Sequence, residues 1–207
     1  SMSGTYVNSE TGERMDVPPT LVCFATKILQ EEKVIPSHFQ SPGSTVVHLR
    51  LQPNAAGEPD WAYLSSMWKK VHEFQQQGII KSSHSVHAGG AAAAITEMCV
   101  GNRIGFSMEE TATKQNLFAS EYGSMIVELP EGQNASELFA GLDVSILGTT
   151  QQEQTISLGS HGNIPLSTAQ AEWEKPLDKI FPLEPEKKHP DDELELPPVH
   201  IGGSAKA

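Results

Sequence analysis

Cysteine is scarce in this chain: Cys23 and Cys99 are the only two in 207 residues. They lie far apart, each in an apolar run, so the expectation is two buried free thiols in a reducing compartment, with no disulfide framework and no reactive thiolate. Basic residues are also few, 14 against 26 acidic ones, giving a net charge of -12. A surface for DNA or RNA needs clustered Lys and Arg, so the balance excludes nucleic acid as a partner. The two dense basic pairs, Lys69-Lys70 and Lys187-Lys188, read as solvated faces. Apolar runs of about 18 residues, the length of a membrane-crossing helix, are missing, so no membrane partner is expected. The polar start SMSGTYVNSETGERMD has no signal-peptide core, which points to the cytoplasm. Ser1 ahead of Met2 reads as a scar of tag removal and hints at a cloned segment.

Common catalytic fingerprints are lacking too. The chain has no G-x-x-x-x-G-K-[ST], no G-x-G-x-x-G and no G-x-S-x-G. No pair of carboxylates flanks an obvious cleft element, and no catalytic residue is assigned.

What is present is enough apolar sequence for one ordinary domain. Thr20 to Ala25 (TLVCFA) reads as a buried strand. Ser44 to Leu51 alternates as a second strand, with His48 and Arg50 on one face and Val47 and Leu49 on the other. Asp60 is placed to cap a helix in which Trp61, Leu64, Met67, Trp68, Val71 and Phe74 form the core stripe, ended by Gly78. Further strands are expected at 104–108, 124–129, 143–147 and 154–158. A helical turn is expected at 113–119 and a short helix at 136–142. Gly148 to Gln151 and His161 to Asn163 read as turns. A last helix starts at a Ser167/Gln170 capping box and buries Ala169, Trp173, Leu177 and Ile180, with a break or kink at Pro176. The mixture without strict βαβ alternation predicts an α/β (α+β) fold, with helices packed on a mixed, largely antiparallel sheet. Residues 1–18 read as a lead-in segment, 19–182 as the domain and 183–207 as an acidic, proline-rich linker or tail.

The most distinctive stretch is 84–108, HSVHAGGAAAAITEMCVGNRIGFSM. Gly89-Gly90 turns a β-prone run into a small-residue helix, buried through Ala91, Ala94, Ile95, Met98 and Cys99. Such a turn either packs tightly or lets backbone N–H groups approach an anion. His84 and His87 suggest a metal pair, but residues three apart on a strand point to opposite faces, so no metal site is expected. Glu97 reads as solvated. Glu121 either faces a cleft or ends a helix.

The segments VPPTLVCFATKI, WKKVHEFQQQGII, HSVHAGGAAAAITEMCVGNRIGF, LFASEYGSMIVELP and AEWEKPLDKIFP, taken in order, resemble the C-terminal domain of the aminoimidazole ribonucleotide synthetase superfamily. More narrowly, they resemble the last such domain of phosphoribosylformylglycinamidine synthases. The resemblance covers about 17–182 and implies that family's fold. It also implies a fragment of an ATP-dependent amidoligase of purine biosynthesis, with glutamine as nitrogen donor and ATP and Mg2+ as cofactors of the full-length enzyme. The implied partners are upstream synthetase-like domains and a downstream glutaminase on the same polypeptide, with the tail as linker.

In the family, the turn reads His-Asp-x-Ser-Asp-Gly-Gly. His84, Gly89 and Gly90 match it; Ser85 and Ala88 replace both aspartates and His87 replaces the serine. The resemblance therefore implies a structural or substrate-side copy, inactive alone and holding no cofactor unaided. His84, Gly89, Gly90 and Glu121 are its candidate ligand-binding residues. Alternatives are a non-catalytic docking module, or the equivalent domain of a selenophosphate synthetase-like or thiamine-phosphate kinase-like enzyme.

Overall fold

The computed structural model describes residues 2–114, 116–178 and 180; the tail at 183–207 lies outside the described residues. The chain consists of two compact units, divided between Val34 and Ile35.

In the first unit, β1 (Met2–Val7) and β2 (Arg14–Thr20) form an antiparallel hairpin. The expected buried strand at 20–25 does not form. Residues 14–20 already take up β1, and the apolar run beyond them has no strand partner. Leu21 and Phe24 are exposed, and so, against expectation, is Cys23.

The second unit is built on a seven-stranded sheet. Its strands are β3 (Thr45–Leu49), β4 (Ser82–Ser85), β5 (Gly105–Met108), β6 (Met125–Leu129), β7 (Val144–Gln151), β8 (Thr155–Ser157) and β9 (Asn163–Pro165). They lie in the order β4-β6-β3-β7-β5-β8-β9, and every pairing is antiparallel except β5 with β8. The α+β class and the largely antiparallel sheet expected from the sequence are what the chain forms.

Helices cover both faces, so central β3 is buried on both, as doubly covered strands are. Val46 joins Ile126, Leu147 and Phe106 in a core with α2 (Gly90–Asn102). Val47 and Leu49 join a second core with α1 (Trp61–Gln76) and α3 (Ala135–Leu138). The helix α4 (Leu166–Asp178) completes the unit, with Leu166 in the first core.

Asp60 caps α1 as expected, its side chain accepting from the Ala62 and Tyr63 N–H groups. Only part of the expected α1 stripe is core, however. Leu64, Met67 and Val71 are buried, whereas Trp61 and Trp68 are exposed. Trp68 can stand at the surface because its indole N–H donates to the Gly123 carbonyl. The stripe of α4 departs further: Trp173, Leu177 and Ile180 are all exposed. Ser167 lies inside that helix, and Gln170 bonds sideways to Glu174 and Arg103, so no capping box forms. The helix also runs through Pro176 without ending.

Residues 148–151 form no turn but extend β7, where Thr149 pairs with Thr45 and Thr150 with Phe106. Gly148 is required there because a Cβ would collide with the Ser107 carbonyl of β5.

Candidate functional site

Three strands place side chains at one level on the α2 face. His48 of β3 and His84 of β4 both pair with Ile126 of β6, which lies between them. Directly paired residues share a face, and two strand spacings put the histidine positions about 10 Å apart. Each histidine meets a carboxylate brought in from elsewhere.

His48 is 2% exposed, and its Nε2 stands 3.2 Å from Glu121 Oε2. Arg50 Nε donates to His48 Nδ1 at 3.3 Å, so Nδ1 is the accepting nitrogen and a neutral ring carries its proton on Nε2. Burial first, and the Arg50 charge second, push His48 down from 6.5 to about 4. The close approach to Glu121 is thus between a carboxylate and a neutral imidazole. Both facing atoms are sealed from solvent, yet their alignment is too poor for a hydrogen bond. Glu121 turns its carboxylate toward buried His48.

His84 Nε2 lies 3.0 Å from Glu97 Oε2, and His87 Nε2 lies 3.2 Å from the same oxygen. The strand argument against a convergent histidine pair fails for a local reason. The strand β4 ends at Ser85, so the alternation of faces lapses before His87, and the two rings come within 5.6 Å centre to centre. Glu97 is not a free solvated side chain; its carboxylate reaches both rings. A cavity of about 260 Å³ lies beside the pair, lined by His38, His84, Glu97, Gly101 and Trp173.

Gly89 and Gly90 adopt left-handed φ values of 88° and 71° at the start of α2. Two of the amides at this helix start are already engaged. Gly90 N–H donates to the His87 carbonyl and Ala92 N–H to the Leu117 carbonyl, both at 2.9 Å. The main chain of Leu117 to Ala119 presses so close that a Cβ on Gly90 would collide with it. Gly90 therefore packs closely against this main chain, while Gly89 is exposed.

Sequence reasoning missed Glu128. This fully buried carboxylate accepts from the Gln40 N–H at 2.9 Å, the Ser41 N–H at 3.3 Å and the Ser82 hydroxyl at 2.6 Å. A glutamate in the middle of the apolar run MIVEL was the available signal. It fastens the 40–41 loop to the sheet.

Histidines and carboxylates thus rim one face of a mixed α+β sheet. No family model matches the chain. It is 25% identical over 184 residues to the phosphoribosylformylglycinamidine synthase subunit PurL of Lactobacillus helveticus, covering 80% of this chain and 25% of that protein. It therefore spans about a quarter of the length of this curated relative. Among solved structures it is similar to PurLQS from Thermotoga maritima, with a TM-score of 0.58 at 14% identity, over 68% of this chain and 28% of that one. The T. maritima PurL has also been solved in complex with ATP. The hydrogenase maturation protein HypE shares the fold, with a TM-score of 0.51 at 15% identity, over 69% of this chain and 57% of that one.

Proposed function

We propose that this chain is one synthetase-like domain of a phosphoribosylformylglycinamidine synthase and serves as a structural or substrate-side lobe. The enzyme would convert formylglycinamide ribonucleotide to its amidine with ATP, Mg2+ and glutamine, in the cytoplasm. Residues 19–182 would be the domain, 1–18 a lead-in, and 183–207 a linker toward a glutaminase; further synthetase-like domains would precede it. The observation that carries the reading is the 184-residue similarity to a PurL subunit, which runs through most of this chain but a quarter of that protein. The ATP complex of the T. maritima relative supports ATP use by the complete enzyme.

The geometry of this lobe favours support over chemistry. The Leu117 to Ala119 main chain already occupies part of the helix end at Gly89-Gly90, which leaves these glycines a supporting role in any ligand contact. Mg2+ prefers several oxygen ligands, whereas Glu97 and Glu121 each face imidazoles. His84 and Glu121 remain the proposed polar contributors to a substrate surface shared with neighbouring domains.

The test is turnover. The isolated chain, given ATP, formylglycinamide ribonucleotide and either glutamine or ammonia, should release no ADP above background. Sustained ADP release by the purified chain would overturn the reading of an incomplete lobe.

The docking alternative is favoured by one observation, the exposed aromatic face of α1. Trp61, Trp68 and His72 line a groove there of about 390 Å³. It is compatible with the first reading, since a lobe of a larger enzyme must meet its neighbours.

A further inference from the structure

His84, His87 and Glu97 form a cluster whose chemistry goes beyond the substrate-surface role proposed for His84. Each offers one ligand atom, and the three atoms lie within 4.8 Å of one another. The separations from Glu97 Oε2, 3.0 Å to His84 Nε2 and 3.2 Å to His87 Nε2, are those of ligands around one small ion. A tetrahedral ion with bonds of about 2.0–2.1 Å sets ligand-to-ligand edges of roughly 3.3 Å.

The outer nitrogens strengthen the case. His84 Nδ1 is 2.8 Å from the Ser85 carbonyl oxygen, and His87 Nδ1 is 3.0 Å from that of Ala88. A carbonyl can only accept, so each Nδ1 carries a proton. With the proton on Nδ1, a neutral ring turns the Nε2 lone pair toward the Glu97 carboxylate, the form in which it can ligate a metal. A cation shared by the three atoms satisfies this arrangement, whereas a protonated His87 ring would instead donate from Nε2 to Glu97 at 3.2 Å. A carbonyl on the outer nitrogen is also how metal-bound histidines are commonly oriented.

We propose that His84, His87 and Glu97 bind a divalent cation of the Zn2+ class, through two imidazole nitrogens and one carboxylate oxygen, with a further position open. The imidazoles select this class over Mg2+ and Ca2+, which take oxygen ligands. The side chains are 15%, 38% and 27% exposed, so an ion can enter from solvent. The cavity of about 260 Å³ lined by His84, Glu97, His38 and Trp173 adjoins the cluster and gives room for a further ligand. The rival is a metal-free cluster in which protonated rings pair with Glu97.

The experiment is a Zn2+ titration of the metal-free, untagged chain in competition with a chromophoric chelator, with Co2+ absorption as a second readout. One ion per chain is expected, together with visible Co2+ bands that Zn2+ displaces. H87A and E97Q should each weaken Zn2+ binding on the order of 100-fold, whereas H72A, at an exposed histidine of α1, should leave it unchanged. His87 lies at the surface, so H87A should keep the parent's far-UV circular dichroism. Absence of stoichiometric binding, or binding indifferent to both H87A and E97Q, would overturn the site. Neither readout involves amide transfer, so failure here leaves the proposed function standing.

Discussion

At the residue scale, His48 makes stability depend on pH. The folded ring titrates at about 4 and the free side chain near 6.5. Between those values the unfolded chain binds more protons, so stability is full above pH 6.5 and is lost as pH falls toward 4. The shift corresponds to roughly 3 kcal/mol when complete. We expect His48→Gln to flatten the difference between urea denaturation midpoints at pH 4.5 and pH 7.5; an unchanged difference would assign the acid sensitivity elsewhere. Glu128 offers a test of the opposite kind. Glu128→Ala would strand two backbone N–H groups and the Ser82 hydroxyl, at a cost of roughly 3 kcal/mol in the same assay.

At the scale of elements, the start of α2 is tightly constrained. Gly90 has φ 71° and no room for a Cβ against the Leu117 to Ala119 main chain. Gly90→Ala should therefore destabilise the fold by roughly 3 kcal/mol or more, measured by chemical denaturation. This helix was legible in the sequence because its small and apolar residues repeat at helical spacing, and the structure buries all five stripe residues named. The strand β3 was legible by its alternation over 44–51, and β6 as a short apolar run. The run at 20–25 carries the same pattern but finds no partner, and pattern cannot report whether a neighbour exists. Thr149 and Thr150 show the converse: Gly148 suggested a turn, yet strands on both sides hold the segment extended. The polar rim was half legible. His84 and Glu121 stood out in the sequence, while their partners Glu97 and His48 arrived through the path of α2 and the register of β3 with β6.

At the scale of the molecule, the two thiols should behave very differently. Cys23 is exposed, whereas burial raises the Cys99 thiol to about 12. Native protein should react with one equivalent of a disulfide reagent quickly and with the second only on unfolding; rapid reaction of both would contradict the buried α2 core. The exposed Trp61, Trp68 and Trp173 should also have a collective effect. Apolar surface of this kind promotes association, so weak self-association is expected in sedimentation velocity at high concentration. Trp61→Gln with Trp68→Gln should shift the distribution toward monomer; no shift would remove α1 as the contact face.

The carbonyl of Leu117 has one more consequence. It serves as a built-in stopper for the positive end of α2, satisfying a donor that a dissolved anion would otherwise claim. An anion that took the Ala92 amide would have to displace this carbonyl, so a form occupied in that way should carry a re-routed segment around 117–119. Protection of the Ala92 amide from deuterium exchange would report whether that stopper is in place.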